Sequence, residues 1–310
     1  MTPLSQAIQD YLALRRSLGF KLRDAGRWLS KFADFLEARG ATQVTTQLAL
    51  EWAQQDPTVL PSTCAQRLGY VRGFARHQIA VDSGTEIPPA GLLRFRPRRA
   101  RPFLYSQEQV EQLLRCALAL APIDGLRPWT YHCLLGLLSV TGMRIGEAIR
   151  LQLDDVNLLE GLLTLRGTKF GKSRLVPIHS STQVVLAQYR EHRARCAAAR
   201  ASAFFFITSR GHHLDIGDIH RTFYVLSRQV GLRAADASHG PRLHDFRHRF
   251  AIETLLRWYR SSADAEQRLP LLSTYLGHVH VADTYWYLSG CPELMQQAVA
   301  RLEQRWEPRP

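Results

Sequence analysis

Leu243-His244-Asp245-Phe246-Arg247-His248, then Leu276-Gly277-His278, then Thr284-Tyr285-Trp286-Tyr287: these three segments crowd the last quarter of the chain. Residues 243–260 and 269–276 have helical periodicity, and Gly277 ends the second run, so this end of the fold is expected to be helical. His244 and Arg247 stand three apart, so on a helix they project from one side. An imidazole beside a guanidinium holds a phosphate and handles a proton. A phenol is a nucleophile. Together the segments carry groups suited to gripping a phosphodiester and attacking it.

Upstream, Ser106 with Gln109 forms a capping box and Tyr105 with Val110 a hydrophobic staple, opening a helix expected to reach about residue 120. Helices are expected at 128–140 and, after the Thr141-Gly142 break, at 144–151. Arg144 then stands at a helix start, beside backbone N–H groups that suit an anion. Residues 162–167 and 173–178 read as two strands joined by Thr168-Lys169-Phe170-Gly171-Lys172. A lysine on such a finger can protonate a leaving oxygen, and Lys169 and Lys172 compete for that role. Further helices are expected at 181–200, 215–230 and 292–306. The fold class is mainly α with a small antiparallel β-sheet.

The tyrosines differ by face. Residues two apart on a helix point roughly 200° from each other. Tyr285 shares a stripe with Val281 and Leu288 and reads as core. Tyr287 shares its side with Asp283 and Thr284 and is the better nucleophile candidate, provided that cations or a base activate it.

Residues 1–82 read as a helical bundle, with helices at 3–18, 24–39, 46–55 and 61–81. Arg27 and Lys31 are one turn apart, as are Arg72 and Arg76. With Arg67 they form basic faces suited to a nucleic-acid backbone. Residues 83–104 hold Gly84, Pro88, Pro89 and Gly91, then a cationic run that includes Arg96, Arg98 and Arg99. This is an extended basic linker, able to track phosphates.

Composition agrees with a polyanionic partner. The 310 residues carry a formal net charge of +13, with a pI of about 10.0. The five cysteines are far apart and without zinc spacing, as expected of reduced thiols in a cytoplasmic protein. No apolar run approaches the ~20 residues of a membrane span, and no secretory signal opens the chain. His212-His213 and His278-Val279-His280 lack the company of a catalytic metal site, so metal: none is the expectation, and no cofactor is expected.

Taken singly, each of these features is common. In their order along the chain, Arg144, Lys169, His244, Arg247, His278 and Tyr287 resemble the tyrosine recombinase (phage integrase) family. The motifs that carry the likeness are Thr141-Gly142-Met143-Arg144-Ile145-Gly146-Glu147, the 168–177 hairpin, His244-Asp245-Phe246-Arg247-His248 and Leu276-Gly277-His278. The resemblance implies a two-domain site-specific recombinase or integrase that cuts and rejoins double-stranded DNA at a specific site, without metal or ATP. It implies a 3′-phosphotyrosyl link on Tyr287, nine residues after His278.

In that scheme Arg144 and Arg247 bind the scissile phosphate and Lys169 protonates the departing 5′ oxygen. His244 manages the tyrosine proton, His278 donates to a phosphate oxygen, and Glu147 orients the others. Arg27, Lys31, Arg67, Arg72, Arg76, Arg96, Arg98, Arg99, Lys172 and Arg174 are candidate DNA contacts. The expected domains are a core-binding domain (1–82), the linker (83–104) and a catalytic domain (105–310), whose last helix docks on a neighbour in a homo-tetramer on DNA. Accessory DNA-bending or partner recombinase proteins are compatible with it. The segment between His248 and Leu276 looks longer than in compact members of the family. A type IB topoisomerase-like enzyme and a catalytically inactive DNA-binding regulator remain as alternatives at this point.

Overall fold

The computed structural model describes residues 3–93, 95, 101–167, 173–196, 202–261, 265–289 and 291–306. The fold is mainly helical with one small antiparallel sheet, and the chain divides into two units, Met1–Ala100 and Arg101–Pro310.

The first unit holds α1 (Pro3–Ser17), α2 (Arg23–Ala38), α3 (Thr46–Ala53) and α4 (Pro61–Gln78). Leu4, Ile8 and Leu12 recur at helical spacing on α1 and are buried, as are Leu29, Phe32 and Leu36 on α2. They meet Trp52 and Phe74 in one apolar core. Thr45 caps α3 by accepting from the Leu48 N–H at 3.2 Å. Helix α4 stops at Gln78, short of the expected residue 81. There Asp82 organises a turn instead, accepting from the Gly84 N–H and the Thr85 hydroxyl.

The second unit opens with α5 (Gln107–Leu118), whose Ser106–Gln109 capping box is made in both directions. Next come α6 (Leu126–Thr141) and α7 (Ile145–Ala148), then the sheet of β1 (Val156–Asn157), β2 (Leu162–Leu165) and β3 (Arg174–Pro177) in that order. Leu163 pairs with Val176, and both side chains are buried, which sets the register. Helices α8 (Ser180–Arg195), α9 (Ile216–Gln229), α10 (Leu243–Arg260), α11 (Ala265–Leu276), α12 (Ala282–Ser289) and α13 (Pro292–Trp306) complete the chain.

Two sequence expectations are corrected here. The helix expected at 144–151 is only one turn long. After it the backbone leaves to pair with residues 203–205, through Leu153 N–H to the Ala203 carbonyl and Phe205 N–H to the Leu151 carbonyl. Strand β1 had no signal, since two residues are too few for an alternating pattern.

Two hydrophobic cores lie side by side in this unit. One gathers α5, α6, α8, α9, the sheet and the start of α10, where Tyr105 stacks on Phe246 at 4.5 Å. The other gathers the rest of α10 with α11, α12 and the start of α13, through Leu255, Leu272, Leu276 and Leu294. Leu243 and Phe246 belong to the first core, Ala251 and Ile252 to the second. The polar residues Arg247 and His248 fall between them on α10, buried at the seam.

Candidate active site

The last turn of α11 organises the centre. Gly277, with φ +69°, closes the helix, and the N–H groups of Gly277 and His278 return to the Thr274 and Ser273 carbonyls. That leaves three carbonyls at the helix end, and three arginines from different elements take them. Arg174 on β3 donates Nε to the Tyr275 carbonyl at 2.8 Å, Arg247 donates Nη2 to that of Leu276 at 2.7 Å, and Arg144 donates Nη2 to that of Gly277 at 3.3 Å. The negative end of a helix dipole favours cations there.

Arg247 is the most enclosed of the three, 2% exposed. Its Nη1 reaches the Gly142 carbonyl at 3.0 Å, and its guanidinium donates to the Tyr287 phenol. Burial lowers its pKa to about 10, and Arg144 adds to this, while Tyr287 and Glu147 oppose it. Among the described residues no carboxylate forms an ion pair with it, so it is ready for an incoming anion.

Arg144 precedes α7. Its Nη1 donates to Glu147 Oε1 and its backbone N–H to Oε2, both at 2.9 Å. Of the backbone N–H groups at this helix start, that of Arg144 itself is taken by Glu147. Burial raises the Glu147 carboxyl, but the hydrogen bonds and charges of Arg174 and Arg144 outweigh it, and the group lies below the ordinary carboxylate pKa.

The histidines are neutral. Burial first, then Arg247 and Arg144, push His278 down to about 4, against the pull of Asp283. His244 is likewise lowered to about 4 by burial of much of its ring and by Arg247, though one side of the residue stays open to solvent. Thr284 Oγ1 lies 2.7 Å from His278 Nδ1, and its hydroxyl, able to donate or accept, can hold either tautomer of the ring. Folded His278 thus stays neutral to about pH 4, whereas an unfolded histidine protonates near ~6.5. We expect stability to fall as pH drops from about 6.5 towards 4. Melting curves between these limits check this, and His278→Asn should flatten the dependence. A variant as steep as wild type would clear His278 of it.

Tyr287 lies under this group, 2% exposed. Its ring stacks on His278 with centroids 6.0 Å apart and meets the edge of His248 at 5.5 Å. The helical-face expectation for the tyrosines is reversed: Tyr285, assigned to the core, is 52% exposed, and Tyr287 is buried. Thr284 and Tyr287 do share a face, but that face turns inward, because what it meets is polar. His248 and Thr284 are neighbours of the site that sequence reasoning passed over; their spacing from His244 and Tyr287, one helical turn each, was the available signal.

Gly142 completes the setting. Its φ of +61° lets α6 end against α10, and a Cβ there would sit 2.7 Å from the Phe250 ring. Gly142→Ala is expected to cost about 1–2 kcal/mol for the left-handed backbone alone. That is a fall in Tm of roughly 2–8 °C by calorimetry.

Several candidates lie elsewhere. Lys169, Lys172, Arg96, Arg98 and Arg99 are outside the described residues. Arg174 is not a free DNA contact: its side chain is 11% exposed, and its fork is held by Glu147 and Tyr275. Arg72 donates to the Pro88 and Pro89 carbonyls at 2.7 and 2.8 Å, so it straps the start of the linker to α4. Arg27, Lys31 and Arg67 gather at 5.2, 5.1 and 4.2 Å from the Trp28 ring, and Arg76 is exposed.

Three arginines and one carboxylate at a helix end, two neutral histidines and a phenol make a site able to bind a phosphate ester and bring an oxygen nucleophile to it. Comparison with known proteins agrees. The phage integrase family is matched over residues 104–291. The putative integrase/recombinase y4rB of Sinorhizobium fredii is 58% identical, with all of both chains covered. Tyrosine recombinase XerD of Ralstonia nicotianae is 29% identical, over 91% of this chain and 89% of that one. The fold matches the Tn1549 transposon integrase solved with transposon right end DNA (TM-score 0.69, 16% identity, 98% and 99% covered). It also matches a lambda integrase dimer bound to a core site (TM-score 0.57, 18% identity, 91% and 96% covered). The chain belongs to the phage integrase family, the tyrosine recombinases, and is by class a site-specific DNA recombinase.

Proposed function

We propose that this chain breaks and rejoins duplex DNA at a specific site through a covalent bond between Tyr287 and a 3′ phosphate. The observation that carries this is the Arg247 guanidinium, which touches the Tyr287 phenol and lies beside Arg144 on the same row of carbonyls. Arg144 and Arg247 bind the non-bridging oxygens and stabilise the charge of the transition state. The Tyr287 oxygen bonds to phosphorus while the bond to the 5′ oxygen breaks. The phenolic proton passes to His244 or is held by it, and neutral His278 donates to a phosphate oxygen. Lys169 gives a proton to the leaving 5′ oxygen. The 5′-hydroxyl of a partner strand then attacks the phosphotyrosine and releases the phenol, so the bond energy is kept and ATP is not needed.

Residues 105–310 carry the chemistry in this reading. Residues 1–82 hold the duplex through Arg27, Lys31, Arg67 and Arg76, and 83–104 join the two. Four chains act on two sites, as the lambda integrase tetramer on a Holliday junction suggests by analogy. Helix α13 is the contact between them. Its Leu294 is buried within its own chain, whereas Met295 and Val299 stay exposed. A DNA substrate fits a protein of the bacterial cytoplasm that is at the nucleoid when bound to DNA.

A pool of nicked duplexes with a randomised core supplies the test. Wild type incubated in EDTA should yield an SDS-resistant adduct, and sequencing the recovered DNA should return one site. Relaxation of supercoiled DNA with no preferred site would favour the topoisomerase alternative. Tight binding with no adduct would favour a regulator without chemistry.

A further inference from the structure

Arg174 is charged, largely enclosed and unexplained by the chemistry above. Its Nη1 and Nη2 donate to the two oxygens of Glu147 at 3.2 and 2.9 Å, and its Nε to the Tyr275 carbonyl at 2.8 Å. Glu147 in turn holds the Arg144 guanidinium and backbone, and Tyr275 lies one turn before His278. Gly277 leaves room for the fork: a Cβ there would come within 2.6 Å of Arg174 Nη1. One planar group thus bridges the turn that carries Arg144 and the helix end that carries His278, starting from β3. Lysine, a single-point donor, cannot span the two.

We propose that Arg174 is a positioning residue for DNA cleavage, fixing Arg144 and His278 relative to each other through Glu147 and the α11 terminus. This rests on the recombinase reading above. A displacement of about 1 Å at a reacting centre costs about 10²-fold in rate, and freeing Glu147 and Tyr275 from their shared partner permits one.

The test uses the DNA site selected by wild type, in three forms. One is the ordinary phosphodiester. In the second, a methylphosphonate, a methyl group replaces one non-bridging oxygen. In the third, sulfur replaces the bridging 5′ oxygen, so the leaving group needs no proton. For Arg174→Gln, single-turnover cleavage of the phosphodiester should fall about 10²-fold. On the methylphosphonate the loss should shrink to within about tenfold, because less charge must be met by Arg144. On the sulfur substrate the loss should persist. Non-covalent affinity and its salt dependence should match wild type. Arg174→Lys should follow the same pattern and serves where the Gln variant is poorly folded.

Cleavage at the wild-type rate by folded Arg174→Gln would overturn the proposal. So would rescue by the sulfur substrate, which would place Arg174 at the leaving group. A salt slope reduced by about one would place it on the DNA backbone and overturn it too. Absence of an adduct with wild type itself is a different result, which fails the recombinase reading and this inference with it.

Discussion

Tyr287→Phe is expected to bind DNA as wild type does and to form no covalent adduct. The substitution keeps the ring, and with it the stacking on His278 and the edge contact with His248. It removes only the oxygen to which Arg247 donates. Arg247 keeps its bonds to the Gly142 and Leu276 carbonyls, so the loss in stability should be about 1 kcal/mol. The chemistry has no substitute for the missing oxygen, and a fall of at least about 10⁴-fold in adduct formation follows. Tyr285→Phe is the control. Tyr285 is half-exposed, two positions away on a short helix, and its variant should form adduct normally. Gel assay of the SDS-treated reaction reads both. An adduct that survives in Tyr287→Phe and disappears in Tyr285→Phe would refute the assignment.

Arg247→Ala is expected to damage both fold and reaction. The guanidinium satisfies the Gly142 and Leu276 carbonyls at the ends of α6 and α11, in a place almost closed to solvent. Each carbonyl left without a donor costs about 1–3 kcal/mol. Loss of a buried cation returns part of that, since its desolvation is relieved. Arg247→Lys separates the two effects. It retains charge and bulk and loses the planar fork. Its Tm should lie nearer wild type, while cleavage should still fall about 10²–10³-fold, the usual loss for one donor to a transition-state oxygen. Chemical denaturation and single-turnover cleavage, measured on the same preparations, would show the split. A lysine variant that cleaves at full rate would mean that Arg247 supports the fold and not the reaction.

Much of the fold was readable because local signals were strong where they occurred. The run at 243–260 forms α10 over those residues, and the Ser106–Gln109 box opens α5 as expected. The helix expected at 144–151 failed because a distant segment, 203–205, competes for its backbone. The tyrosine faces were misread for a related reason. Periodicity treats the buried side of a helix as apolar, whereas α12 buries Thr284 and Tyr287 against histidines and Arg247. Arg72 and Arg174 looked like any other basic residue, and only their acceptors show that they brace the protein.

By itself the sequence determined which residue types are present, their order, and the helices and turns that carry them, because capping, glycine placement and hydrophobic spacing act over a few residues. It could not say which arginines are free. That was decided by tertiary structure, where β3, the turn before α7 and α10 deliver Arg174, Arg144 and Arg247 to three successive carbonyls at one helix end. A buried guanidinium must find acceptors wherever the fold leaves them unpaired, and those acceptors came from residues far away in the chain.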